Sequence, residues 1–123
     1  MEPSSKNFPV EELRCKCQHC LSQKPNHVDP KVLLRLQAIR DELGAPMLIN
    51  SAYRCPLHKK ETKKAKLGTH ARGVAFDVSV PWGAKRMRIV ELAMKHGAKG
   101  FGFAHTFIHL DWGSPQFRSW SYS

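Results

Sequence analysis

The sequence predicts a single α+β domain, with a small, mostly antiparallel sheet and two main helices packed around it. Three observations lead there. The chain has 123 residues, close to the usual size of one domain. Two segments repeat apolar residues at helical spacing, and several shorter ones alternate or run apolar over strand lengths. Their order is helix, strand, loop, strand, helix, strand, strand, which suits an α+β arrangement. A composition of 41% hydrophobic and 24% charged residues fits a globular chain and excludes wholesale disorder.

Residues 1–28 form a cysteine-rich segment expected to pack on the domain. The first strong element starts at Asp29-Pro30, a capping residue followed by proline at the first helical position. Val32, Leu33, Leu36, Ile39 and Leu43 then recur at three- and four-residue spacing until Gly44 stops the pattern. Pro46–Ser51 reads as a short buried strand. Residues 55–73, polar and rich in Lys and Gly, read as a long loop. In the strand Val74–Val80, alternation puts Val74, Phe76, Val78 and Val80 on one face and Ala75, Asp77 and Ser79 on the other. A second helix is expected from about Ala84 to His96, with Met87, Val90 and Met94 as its apolar stripe and Gly97 as its stop. Gly100–Ala104 and Thr106–Asp111 read as two strands joined by a tight turn near His105.

Charge is the outlier: 20 Lys and Arg against 10 Asp and Glu, a formal net of +10. Such an excess favours a polyanionic partner. Between Lys59 and Arg72 lie six bases and one acid, Glu61, but no interleaved aromatics or nucleic-acid motif, so no specific nucleic acid is expected. No apolar stretch approaches the roughly 20 residues of a transmembrane helix. Met1–Pro9 lacks the apolar core of a signal peptide, so synthesis in the cytoplasm without one is expected.

Cys15, Cys17 and Cys20 fall within six residues, and Cys55 stands apart before Pro56. Clustered thiols with a distant fourth look more like a tetrahedral zinc site than a loop-closing framework. A second, structural metal, one or two disulfides, and free thiols are the three readings, and His19 or His58 could replace one thiol. A reducing compartment weakens the disulfide reading.

Two patterns carry chemistry. In Gly68-Thr-His70-Ala-Arg-Gly73-Val-Ala75-Phe-Asp77, an imidazole and a carboxylate stand seven positions apart. In Phe107-Ile-His109-Leu-Asp111, alternation puts His109 and Asp111 on one strand face. Asp77 is a lone acid in an apolar strand, costly to bury without a cation or donors. His70, Asp77 and His109 could bind one zinc and leave its fourth position to water, the open arrangement of a catalytic site.

These motifs, with Ser51-Ala-Tyr-Arg54-Cys-Pro, resemble the zinc D-Ala-D-Ala carboxypeptidase family. That family includes phage L-alanyl-D-glutamate endopeptidases (endolysins) and shares its metal-site fold with the hedgehog signalling domain. The resemblance runs from about Phe8 to Trp120 and departs at Gly68, where serine is usual. It implies a zinc peptidase domain with His70, Asp77 and His109 as ligands, and Arg54 binding or polarising the peptide, a task suited to a guanidinium. Relatives often carry the general base a few residues before the last ligand. His105 and Asp111 are the candidates, with Asp111 alternatively orienting a ligand. Trp112 and Trp120 are candidate cleft residues, Trp120 also because Arg118-Ser-Trp120 resembles a tail seen in some family members.

The expected function is hydrolysis of peptide bonds in peptidoglycan stem peptides by a monomeric, phage-type lysin acting at the cell wall or periplasm. Positive charge would draw it to anionic envelope polymers. The alternative is a non-catalytic, zinc-stabilised wall-binding module, because fold alone does not imply hydrolysis.

Overall fold

The computed structural model describes residues 1–122. In chain order it contains α1 (Val10–Leu13), α2 (Pro30–Leu43), β1 (Leu48–Ser51), β2 (Ala75–Ser79), α3 (Ala84–Lys95), β3 (Gly100–Phe103), β4 (Phe107–Asp111) and β5 (Arg118–Ser121). The strands form one sheet in the order β1-β2-β4-β3-β5. The β1–β2, β2–β4 and β3–β4 pairings are antiparallel, and β3–β5 is parallel. The expected class and both main helices are present, while the sheet is mixed. Its parallel strand, β5, has the sequence Arg-Ser-Trp-Ser. With no apolar alternation to announce it, β5 forms by pairing with β3.

Helix α2 begins and ends on its predicted signals. Asp29 Oδ1 accepts a hydrogen bond from Lys31 N at 2.8 Å, and Gly44 closes the helix in the left-handed region at φ 66°. Helix α3 differs from expectation in its orientation. Met87 and Met94 are exposed, and the buried positions are Arg86, Ile89, Val90, Leu92 and Ala93. Arg86, Ile89, Val90 and Ala93 form one helical face, and Arg86 fixes that face against the sheet. Its guanidinium donates to the carbonyls of Val80 and Phe107 and lies 4.2 Å from the centre of the Trp82 ring. Arg86→Leu should leave the Val80 carbonyl without its described donor, while Phe107 O keeps Ala104 N, and cost about 1–3 kcal/mol. A lower urea midpoint at unchanged slope would register this.

The strand expected to be buried at Pro46–Ser51 is instead a partly exposed edge strand. Ile49 is buried but Leu48 is exposed, because β1 has a neighbour on one side only.

One apolar core joins Phe8, Leu13 and Val28 of the N-terminal segment to α2, α3 and the sheet residues Ile49, Phe76, Val78, Ile108 and Leu110. Alternation turns Ala75 and Asp77 of β2, and His109 and Asp111 of β4, to the opposite face. The register sets Asp77 opposite His109 and Ala75 opposite Asp111. Residues 52–74, which link β1 to β2, contain neither helix nor strand.

Candidate metal centre

Three side chains converge where that opposite face meets the turn before β2. His70 Nε2 lies 3.1 Å from Asp77 Oδ1 and 3.2 Å from His109 Nδ1, and His109 Nδ1 lies 3.0 Å from Asp77 Oδ1. All three residues are buried. The outer nitrogens define the inner ones. His70 Nδ1 is 2.7 Å from the Ala52 carbonyl, which only an N–H can satisfy, so Nε2 presents a lone pair inward. His109 Nε2 donates to Asp111 Oδ2 at 2.8 Å, which turns Nδ1 inward. Two nitrogen lone pairs and a carboxylate oxygen facing one point repel each other unless positive charge sits among them. In a zinc tetrahedron with bonds of about 2.0–2.1 Å, neighbouring ligand atoms are about 3.3 Å apart. The triangle fits that edge closely.

The electrostatics agree. Burial lowers the His70 pKa and keeps the imidazole neutral, as a ligand must be. Burial works against charge on Asp77, but the facing imidazoles outweigh it and hold the carboxyl below its ordinary range. Burial also opposes charge on His109, yet Asp111 and Asp77 together raise its pKa above the usual value. Without metal, His109 is therefore the imidazole of the pair that more readily takes a proton. Zinc must displace that proton, so zinc affinity should weaken as the pH falls through the raised His109 value and level off above it. Zinc titrations at a series of pH values, with proton release followed alongside, check this.

Asp111 is fully buried. Besides holding His109 through Oδ2, it accepts at Oδ1 from Gly113 N at 3.1 Å and Ser114 Oγ at 2.9 Å. A Cβ on Gly100 of β3 would come within 2.1 Å of Asp111 Oδ2, so the neighbouring strand needs glycine there. With both oxygens engaged, Asp111 is built to orient His109. Asp111→Asn should weaken zinc binding about 10–100-fold, as read by competition with a chromophoric chelator.

Arg54 borders the triad. Its Nη2 donates to Asp77 Oδ2 and its Nε to Ser51 Oγ, both at 3.2 Å. Behind it, Glu61 is buried and accepts from Gly68 N at 3.0 Å and Lys64 Nζ at 3.0 Å. Gly68 stands where the resemblance leads one to expect serine, and the end of Lys64 takes up the space beside it. Two grooves meet at Arg54, Lys60, Asp77 and Phe107. One, of about 360 Å³, has His70 and His109 at its floor and is walled by Trp120, Tyr122, Lys64 and Arg118; its size suits a ligand cleft. The other continues past Ser51, Tyr53 and His58.

Trp120 stands in the cleft, its ring centre 5.1 Å from that of His109. A Cβ on Gly102 would meet the Trp120 and Tyr122 rings, so a second glycine of β3 makes room for this wall. Two other expected residues are not brought to the cleft. Trp112 directly follows Asp111, so it turns to the opposite face; its Nε1 donates to the His96 carbonyl at 2.9 Å and it packs edge-on against Phe76. His105 is exposed in the turn between β3 and β4 and does not line either groove. Sequence reasoning missed Glu61 as a support for the cleft, although it is the lone acid in a lysine-rich run. Cys15, Cys17, Cys20 and Cys55 form a separate cluster.

The family model described as Peptidase M15 matches residues 6–111, a span that contains the whole triad. No curated protein matches the chain.

Proposed function

This chain belongs to the Peptidase M15 family, whose members are zinc peptidases acting on peptidoglycan, and from that premise we propose that it is a phage-type endolysin, an endopeptidase of stem peptides. The observation that carries the hydrolytic part of this reading is the triangle of His70, Asp77 and His109, three inward-facing candidate ligand atoms whose outer partners are already engaged. Zinc held there supplies a nucleophile at neutral pH and polarises the scissile carbonyl.

The chain's own residues do the rest. Arg54 holds Asp77 Oδ2 through Nη2 and lines the cleft, where its guanidinium holds a carbonyl oxygen as it gains charge. Lys60, Lys64 and Arg118 attract the carboxylates of the stem peptide. Trp120 and Tyr122 give its backbone an apolar wall and exclude water from the reacting bond. Asp111 fixes the ring of His109, and Ala52 fixes that of His70.

The trough extends to both sides of Asp77, which supports cleavage within a peptide over removal of a terminal residue. The protein works as a monomer at the cell wall, and its net positive charge brings it to anionic envelope polymers.

Digestion of purified peptidoglycan, followed by mass spectrometry, tests the reading. The expected products are stem peptides cut between L-Ala and D-Glu. Release of free D-alanine alone would replace it with carboxypeptidase action. Binding without any fragments would replace it with a wall-binding module.

A further inference from the structure

Outside the triad, the cysteines form the one other described group of side chains placed to hold a metal ion. Their four sulfurs all lie within 4.8 Å of one another, with Cys17 and Cys55 Sγ 3.5 Å apart. All four are free thiols. Zinc with four thiolates at about 2.3 Å has sulfur–sulfur edges of about 3.8 Å. A disulfide joins two sulfurs at about 2.05 Å and gives no reason for four to share one centre.

The backbone adds an independent observation. The loop folds back on itself through Leu21 N to Cys17 O and Ser22 N to Cys15 O. This holds Leu21 and Ser22 at φ 47° and 61°, the only non-glycine residues described with positive φ. Leu21 is exposed, so burial of its side chain does not offset that conformation. Such backbone persists where something else fixes it.

We propose that Cys15, Cys17, Cys20 and Cys55 hold a structural zinc ion that fastens the N-terminal segment to the turn carrying Arg54. Four thiolates close the coordination sphere, so this ion takes no part in hydrolysis. Its role is positional. Cys55 directly follows Arg54; Tyr53 N donates to Leu13 O and Arg54 N to His70 O, each at 3.3 Å. Residues 53–55 thus run as a strap between the N-terminal segment and the triad. The loop that follows supplies Lys60, Lys64 and Thr69 to the cleft without helix or strand of its own. A loop of this length needs anchoring, and the thiolate site provides it at one end as the triad does at the other. The inference does not depend on hydrolysis, since a wall-binding module would carry the same clip.

Cobalt(II) substitution of the reduced, full-length chain tests it. The expected spectrum shows thiolate-to-cobalt charge transfer in the near ultraviolet, retained in the His70→Ala/His109→Ala double variant and weakened in Cys17→Ser. Zinc analysis should give two ions per wild-type chain and one per double-histidine variant. A wild-type protein with four titratable thiols and no charge-transfer band would overturn the proposal. So would one zinc in the wild type and none in the double-histidine variant. The wild-type spectrum does not depend on any variant folding. Two bound metals in a protein that cuts nothing would uphold this site and remove the hydrolytic reading.

Discussion

His70→Ala should lose the catalytic zinc and wall hydrolysis together, with turnover falling by roughly 10³-fold or more. The magnitude follows from losing several kcal/mol of charge stabilisation at the reacting carbonyl. His70 has no substitute, because its Nε2 faces both Asp77 and His109 while the Ala52 carbonyl holds its other nitrogen. The variant should still fold, since the apolar core lies on the opposite sheet face around Phe76, Val78, Ile108 and Leu110. Zinc content and fragment release, measured on one preparation whose near-ultraviolet circular dichroism matches the wild type, separate loss of metal from loss of fold.

Arg54→Ala is expected to reduce kcat about 10²–10³-fold, the usual effect of deleting one preorganised donor to a developing oxyanion. Zinc should remain bound, because Asp77 reaches the centre through Oδ1 and Arg54 contacts Oδ2. Arg54→Lys should recover only part of the rate. An ammonium keeps the charge but cannot span Ser51, Asp77 and a substrate oxygen with one planar fork. Steady-state kinetics beside zinc analysis distinguish this outcome from metal loss; an unchanged kcat would remove Arg54 from the reaction.

Much of this molecule is legible in its sequence because local rules govern the parts concerned. Asp29-Pro30 and Gly44 bound α2 by capping chemistry that needs no tertiary context. Alternation in Val74–Val80 turns Asp77 away from the valines. Phe107–Asp111 likewise places His109 and Asp111 on one face, so two of the three candidate ligands, Asp77 and His109, could be set on the polar faces of their strands before any coordinates. What escaped depended on long-range contacts. Strand β5 exists through β3, and nothing in Arg-Ser-Trp-Ser announces it. In α3 two stripes are compatible with the spacing, and the choice falls to Arg86, a charged residue buried against strand-end carbonyls. Trp112 follows Asp111, so the parity that turns Asp111 toward His109 turns Trp112 to the core face against Phe76. The two glycines of β3 carry information only once β4 and β5 are seen beside them. Gly100 clears the Asp111 carboxylate, and Gly102 clears the aromatic wall.

The most direct measurement is the rate of peptide release from purified peptidoglycan by protein stripped of metal, before and after zinc is added back. Metal-free protein should release nothing above background, and added zinc should restore turnover in the wild type but not in Asp77→Ala. Equal release by the metal-free and zinc-loaded proteins would contradict a zinc centre built from His70, Asp77 and His109.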